Sequence, residues 1–321
     1  MKHNNICLLG GTGFVGQHLA NRLSRMGYRV AVLTRRSERH RSLKVNLNVQ
    51  LIEANIFDCN VLQQHFKDAD TVINLVGILN ESRAVDMQFT SVHAELAGTI
   101  ARTAVTTGVG RLLHMSALNA DASEADSVYL RTKGEGENNA HAAAGKGLAV
   151  TSFRPSVIFG PGDSFFNRFA TLLKITPLAF PLACPDSRFA PVYVGDVVNA
   201  FVAVLKDDAS IGKRLELCGP DEYTLKQLVE YTRDTLGLKQ RILGLGNGLS
   251  RLQARILGLM PGKPFSMDNY YSLQHASVCS DNALPRLGIT PTPLQAVVPG
   301  YLAGRTSRGR YNTFRRHSKR N

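Results

Sequence analysis

The stretch ICLLGGTGFVG, Ile6 to Gly16, decides how the rest of the chain is read. A short apolar run ends in Gly10, Gly13 and Gly16 at three-residue spacing. Gln17, His18, Leu19, Ala20, Arg22 and Leu23 then follow a helical pattern. Strand, tight turn and helix in that order bring backbone N–H groups of Gly10, Gly11, Thr12, Gly13, Phe14, Val15 and Gly16 toward a pyrophosphate. Glycines permit the close approach, and the helix N-terminus carries partial positive charge. A glycine triad alone is a weak signal, so the elements that follow must supply its context.

Tyr28 to Thr34 (YRVAVLT) is a second apolar strand that ends directly in Arg35 and Arg36. In dinucleotide folds an acid about 20 residues past the glycine turn holds the ribose 2′-hydroxyl of NAD. Thr34 and two arginines occupy that region instead. Guanidinium groups bind a 2′-phosphate with charge-assisted hydrogen bonds, so NADP(H) is expected in preference to NAD(H). The plainer reading is that Arg35 and Arg36 open a basic loop with Arg39 and Arg41.

Val49 to Glu53 reads as a third strand, followed by Asn55 and Asp58 and a helix from Val61 to Phe66. Thr71 to Val76 is a fourth strand closing on Gly77. This alternation predicts an α/β fold, a Rossmann-type doubly wound parallel sheet with helices on both faces. Ligands then sit at the carboxyl ends of the strands. Asn55, Asp58, Leu75, Val76 and Gly77 are therefore candidates to edge the adenine and ribose, although Asn and Asp also satisfy their own loop backbone readily.

Gln88 to Thr107 carries a helical pattern with Val92, Leu96, Ile100, Ala104 and Val105 on one face. The next strand, Arg111 to Met115, delivers Ser116 at its carboxyl end. Tyr129 and Lys133 follow at a spacing of four, on one face of a helix. A free phenol, with a pKa near 10, is a weak base at neutral pH, and a fixed ammonium beside it stabilises the phenolate. Tyr129 is thus the candidate acid/base, Lys133 its support, and Ser116 the group that orients a carbonyl. His114 has no partner in the sequence and reads as core or surface.

Together the glycine turn, Ser116, Tyr129 and Lys133 resemble the short-chain dehydrogenase/reductase superfamily. TSFRPSVIFGPGD (Thr151 to Asp163) and PVYVGDVVNAF (Pro191 to Phe201) resemble its extended branch. That resemblance implies that Arg154, Pro155 and Ser156 border the nicotinamide and that Lys133 also bonds its ribose. HMSALNA, YLRTKGEGE, the RPSVIFGPGDSFFNRFA run and PVYVGDV are similar to the NADPH-binding accessory subunit of respiratory complex I and its bacterial epimerase/dehydratase-like relatives. The similarity is good over residues 5 to 235 and looser to 302. It implies a dinucleotide-binding domain over 1–161 plus 191–215 and a substrate lobe over 162–190 plus 216–302. Residues 303–321 form a basic tail expected to be disordered.

With 44% apolar residues and no apolar run long enough to span a bilayer, the chain reads as soluble. The first strand starts within a few residues of Met1, so no leader is expected and the cytoplasm is the default. Five scattered cysteines without a C-x-x-C pair, and nine histidines without ligand spacing, predict neither a disulfide framework nor a metal site. The formal charge is +13, of which Tyr301 to Asn321 supplies six Arg and one Lys with no acid. Such a tail suits an anionic partner: peripheral contact with the inner face of the membrane or a respiratory complex is expected, and nucleic acid is not. Arg241 to Phe265 is also basic and acid-free, with Leu249, Leu252, Ile256 and Leu257 on one helical face. Such a stripe fits a membrane or a partner, but packing on its own lobe is the more frequent arrangement and the one expected.

Ile175 to Pro185 is apolar and proline-rich, hence not a long helix. An apolar lobe suits a quinone-like or other hydrophobic small-molecule substrate. A sugar nucleotide instead needs cations for its diphosphate, for which Arg188 is the best candidate beside Arg168 and Lys174. Arg188 and Tyr193 are the expected substrate contacts. Three functions remain open: an oxidoreductase on a carbonyl or quinone, an assembly protein holding NADPH structurally, and a sugar-nucleotide epimerase or dehydratase.

Overall fold

The computed structural model describes residues 5–81, 88–260 and 264–303. The chain divides into two compact units, 1–155 with 197–217 and 280–289, and 156–196 with 218–279 and 290–321.

The first unit is built on β1 (Asn5–Leu9), α1 (Phe14–Arg25), β2 (Arg29–Thr34), β3 (Val49–Glu53), α2 (Cys59–Phe66), β4 (Thr71–Asn74), α3 (Leu96–Thr106), β5 (Arg111–Met115), α4 (Val128–His141) and β6 (Ala149–Pro155). Between β6 and its last strand come β7 (Ile158–Phe159), α5 (Phe165–Ile175), β8 (Ala179–Leu182), β9 (Arg188–Phe189), β10 (Val192–Tyr193) and α6 (Val194–Val204), and β11 (Arg214–Leu217) completes the sheet. Seven strands lie in the order β11-β6-β5-β4-β1-β2-β3, every neighbour parallel. β4 and β5 are buried throughout, as strands covered on both faces must be, and their centres, Val72 with Ile73 and Leu112 with Leu113, are apolar on both faces. Leu9, Leu33, Phe66, Val72, Ile100, Leu112 and Val150 share one core between sheet and helices. The strand order reverses between β1 and β4, and the carboxyl ends of strands on either side of that point border a crevice. This is the doubly wound α/β architecture expected from the sequence.

The second unit takes β7 to β10 and adds β12 (Tyr223–Thr224), α7 (Leu225–Thr235), β13 (Arg241–Gly244), α8 (Asn247–Gly258), α9 (Met267–Ser272) and α10 (Leu294–Leu302). Short pairs β10·β7, β12·β9 and β13·β8 frame a core of Phe159, Phe166, Leu173, Phe189, Leu228, Val229 and Val298. Ile175 to Pro185 is not a helix: α5 stops at Ile175 and Ala179–Leu182 is a strand.

Two expectations need correction. Cys218 and Cys279, 61 residues apart, form a disulfide. Ser277 is the cause: it exchanges backbone bonds with Ala190 and Arg188, and that lays its segment along β9, bringing Cys279 to the residue that follows β11. Second, α8 does not turn that stripe into the lobe. Ser250 and Ala254 face inward, Leu249, Leu252 and Ile256 are exposed, and of the four only Leu257 is partly buried. The basic tail from 304 onward lies outside the described residues. No described helix is long and apolar enough to cross a membrane.

Candidate functional site

The glycine turn joins β1 to α1. Gly10 has φ +75°, and a Cβ there would stand 2.8 Å from the Leu75 carbonyl carbon and 3.0 Å from the Val76 nitrogen. Only glycine lets the end of β1 run this close to the loop after β4, and the structure thereby brings Gly10, Leu75 and Val76 together. Gly13 N–H donates to Gly10 O at 3.0 Å, and Gln17 Nε2 donates to Thr12 O at 2.8 Å, which stiffens the turn. Gly13 starts α1 without a side-chain cap and with no acid in the first turn. The first N–H groups of the helix therefore keep their affinity for an anion. Gly11 and Gly16 are buried beneath the turn, while Thr12, Phe14 and Val15 are partly exposed. These residues fit a dinucleotide pyrophosphate.

At the end of β2, Thr34 is buried and Arg35 and Arg36 are exposed. Thr34 Oγ1 accepts weakly from Arg36 N–H at 3.5 Å, and Thr34 O accepts from Ala54 N–H at 3.0 Å. Asn55 Oδ1 accepts from Phe57 N–H, and Asp58 caps α2 through Asn60 N–H at 2.9 Å. Both side chains thus satisfy local backbone, the plainer of their two readings.

Asn74, at the end of β4, is buried. Its Oδ1 accepts from Val76 N–H at 3.0 Å, and its Nδ2 lies 3.2 Å from His114 Nδ1. That gives His114 its partner and makes it a core residue. Burial first, then the Lys133 ammonium, hold its pKa well below the ordinary value, so it stays neutral.

The catalytic candidates converge where β5 meets α4. Ser116 follows β5, its N–H donating to Phe153 O at 2.8 Å. Its Oγ is buried and has no hydrogen-bond partner among the described residues. Ser127 caps α4, whose register then sets Tyr129, Lys133 and Glu137 on one face. Lys133 Nζ donates to Met115 O at 2.5 Å. Burial pushes this ammonium down to about 8 against the opposing charge of Glu137. A Cβ on Gly77 would come within 3.8 Å of Lys133 Nζ, so Gly77 borders the same spot.

Two participants escaped the sequence reading. The helix begun at Gln88 is not uniform: Thr90–Glu95 is a π-helical turn ahead of α3. π turns place side chains where an α-helix would not, often at functional sites. Here the turn buries His93 against Tyr129, ring centroids 5.4 Å apart edge to face, while Phe89 stacks on His93 at 5.4 Å and meets Tyr129 at 5.8 Å. His93 Nε2 accepts from Ile78 N–H at 3.1 Å, and Nδ1 lies 3.1 Å from Thr132 Oγ1. These partners assign the proton to Nδ1. Burial, then the Lys133 charge, push His93 down to about 3. α4 approaches the π turn so closely that a Cβ on Gly136 would lie 2.0 Å from His93 O. The second missed residue, Glu137, is fully buried and binds Arg154 Nε at 3.0 and 3.1 Å, with Arg214 Nε at 3.5 Å. Its spacing of four from Lys133 was a legible signal; nothing in the sequence announced the π turn.

The remaining candidates are placed as follows. Arg154 is committed to Glu137, and Pro155 ends β6 with its carbonyl accepting from Leu118 N–H at 3.1 Å. Ser156, Arg188 and Tyr193 belong to the second unit. Ser156 Oγ donates to Ser277 O at 2.7 Å, Arg188 is ion-paired with Glu222, and Tyr193 packs against Phe159. Among the described residues no three His, Cys, Asp or Glu side chains group as metal ligands.

Sheet order, glycine cradle and the Ser116–Tyr129–Lys133 set define a Rossmann-type dinucleotide-binding protein of the extended short-chain dehydrogenase/reductase kind. The model of the NAD dependent epimerase/dehydratase family matches residues 6–218, and the chain belongs to that family. Among its relatives is NADH dehydrogenase [ubiquinone] 1 alpha subcomplex subunit 9, mitochondrial, of Mus musculus, 30% identical over 301 residues, 90% of this chain and 77% of that protein. Ceramide reductase of Caulobacter vibrioides is 28% identical over 240 residues, 75% of this chain and 73% of that protein. The dTDP-glucose 4,6-dehydratase DesIV of Streptomyces venezuelae, solved with NAD bound, shares the fold at TM-score 0.71 and 19% identity, over 95% of this chain and 98% of that one.

Proposed function

We propose that the protein is an NADP(H)-dependent oxidoreductase acting on a small carbonyl or quinone-type substrate of apolar character. The observation that carries this reading is the juncture of β5 and α4, with Ser116 Oγ buried and without a partner among the described residues, and Lys133 buried on the face it shares with Tyr129. Scaffolding alone does not require that set. The nicotinamide, when bound, supplies or accepts the hydride. Tyr129 gives its phenolic proton to the substrate oxygen, and Ser116 Oγ donates a hydrogen bond to the same oxygen. Lys133, held by Met115 O, stabilises the phenolate that remains. Arg35 and Arg36, exposed just beyond the buried Thr34, are the groups that would bind a 2′-phosphate.

The second unit supports an apolar substrate: Phe165, Phe169, Phe180 and Tyr193 are partly buried around its core. Arg188, the best candidate for a sugar-nucleotide diphosphate, is already paired with Glu222, which disfavours the epimerase alternative. A relative named ceramide reductase agrees with reduction of a lipid-like carbonyl. Purified protein with NADPH should turn over a member of a ketone and quinone panel that includes long-chain ketones. Tyr129→Phe should lower the rate by about 10²- to 10⁴-fold, and turnover unchanged by that substitution would refute the assignment.

The second reading, a subunit that holds its nucleotide structurally, rests on the relatives named as complex I subunits. It predicts NADPH copurifying with the chain, no turnover on any panel member, and comigration with a respiratory complex in native gels.

A further inference from the structure

α8 is folded into the second unit the opposite way round from an ordinary amphipathic helix. Its inner side carries small residues. Ser250 Oγ accepts from Cys184 N–H at 3.0 Å and donates to Leu245 O at 3.1 Å, and Ala254 is buried with Ala183, Cys184 and Tyr270. Gln253 Nε2 donates to Pro181 O at 3.2 Å, and Tyr270 O–H donates to Asn247 Oδ1. The helix is therefore anchored at both ends of its inner face. Leu257 is partly buried, but four other large apolar side chains point out: Leu249 is 57% exposed, Leu252 51%, Ile256 56% and, just past the helix end, Leu259 89%. At spacings of three, four and three, these four make one stripe. Leu178, the residue before β8, and Leu243, on β13, are exposed as well. A monomer rarely leaves a stripe of large aliphatic side chains bare along a helix without a use for it.

The charges around the stripe say what covers it. Arg251 and Arg255, one turn apart, run along one border, with Arg241 on β13 and Lys239 just before it, all exposed. Among the described residues none of the three arginines has an ion-pair partner, and no acid occurs in the sequence between Asp234 and Asp268. An aliphatic stripe whose charged neighbours along the chain are all cations differs from a protein interface, whose centre favours aromatic anchors and whose rim mixes both signs. It matches an interfacial helix, whose leucines enter the acyl boundary while arginines reach lipid phosphates.

We propose that α8, with Arg241, Arg251 and Arg255, is a docking surface for an anionic phospholipid bilayer, on which the helix lies flat. This goes beyond the proposed oxidoreductase activity and does not depend on it.

The chain contains no tryptophan, so Leu252→Trp in the full-length protein puts a single indole on the stripe. With vesicles of phosphatidylcholine and phosphatidylglycerol, its emission should shift to the blue and be quenched by lipid brominated in the acyl chain. Vesicles of phosphatidylcholine alone should give little of either. In cosedimentation, the triple change Leu249→Ser, Leu252→Ser, Ile256→Ser should weaken partitioning about tenfold or more, as should Arg251→Glu with Arg255→Glu. Both variants should keep the wild-type circular dichroism and NADPH binding, which separates lost docking from unfolding. Indole emission unmoved by vesicles that nevertheless sediment the protein would assign binding to the tail and overturn the proposal. So would equal partitioning of the triple variant, or a stoichiometric protein complex formed through α8 with no response to lipid.

Discussion

Lys133→Met should make the protein more stable and less active at once. The lysine is buried, and its folded pKa falls from 10.5 to about 8. That difference corresponds to about 3 kcal/mol that the native state gives up at neutral pH to keep the ammonium charged. Methionine fills a similar volume without the charge. The lost bond to Met115 O returns about 1 kcal/mol, and Glu137 keeps Arg154 as its partner. The net gain is about 2 kcal/mol near pH 7. The pH dependence carries the sign. The folded pKa lies below the unfolded one, so between about 8 and 10.5 the unfolded chain holds the proton and the native chain does not, and wild-type stability rises with pH. The variant lacks this rise. Its advantage should be full below about pH 8 and fade as pH approaches about 10.5. Urea unfolding followed by circular dichroism at about pH 7 and about pH 9.5, with equal slopes for both proteins, measures the gap. A variant less stable than wild type at neutral pH, or a gap independent of pH, would show that Lys133 carries no desolvation penalty and refute the argument.

Other outcomes follow from the same geometry. Gly10→Ala forces a Cβ toward the Leu75 carbonyl at φ +75°, so thermal unfolding should show a loss of about 1–3 kcal/mol together with loss of NADPH binding. Undiminished binding would mean that the turn is not the cradle. Reducing Cys218–Cys279, 61 residues apart, should remove about 4 kcal/mol by the loop-entropy relation. Thiol titration of the unreduced, unfolded chain that found all five cysteines free would contradict the pairing. His93, held down to about 3, should show an imidazole carbon shift that does not move between about pH 8 and pH 5. A midpoint near 6.5 would mean that its ring is not buried against Tyr129.

The sheet was legible, as were the positions of Ser116 just after β5 and of Tyr129 and Lys133 on one face of α4, because their signals are local. An apolar run of strand length, a glycine turn and a spacing of four residues each fix geometry within a few positions. What was not legible depends on contacts between distant residues or on direction. Cys218 finds Cys279 because Ser277 is laid along β9, a fact of tertiary packing. Periodicity located the stripe on α8 but carries no information about which side faces the lobe, and Ser250 and Ala254 decided that. Arg188 looked available until Glu222, 34 residues later, came beside it. The regular spacing of Val92, Leu96 and Ile100 hid the π turn, because a spacing of four residues suits an α turn and a π turn alike.

That extra residue reverses a familiar rule about length changes. Insertions and deletions are ordinarily absorbed by loops and resisted by helices. In Thr90–Glu95 the helix already contains one residue more than an α-helix needs. A single-residue deletion there would relax the segment into regular α-helix, a change the backbone would welcome. It would also turn everything before Leu96 by about 100° relative to α3, carrying Phe89 away from Tyr129. Phe89, Val92, His93 and Ala94 are buried, so such a deletion would spare the helical hydrogen bonds but disturb the packing and the site together, and two descendants of this chain differing by one residue here could share a fold and not a chemistry.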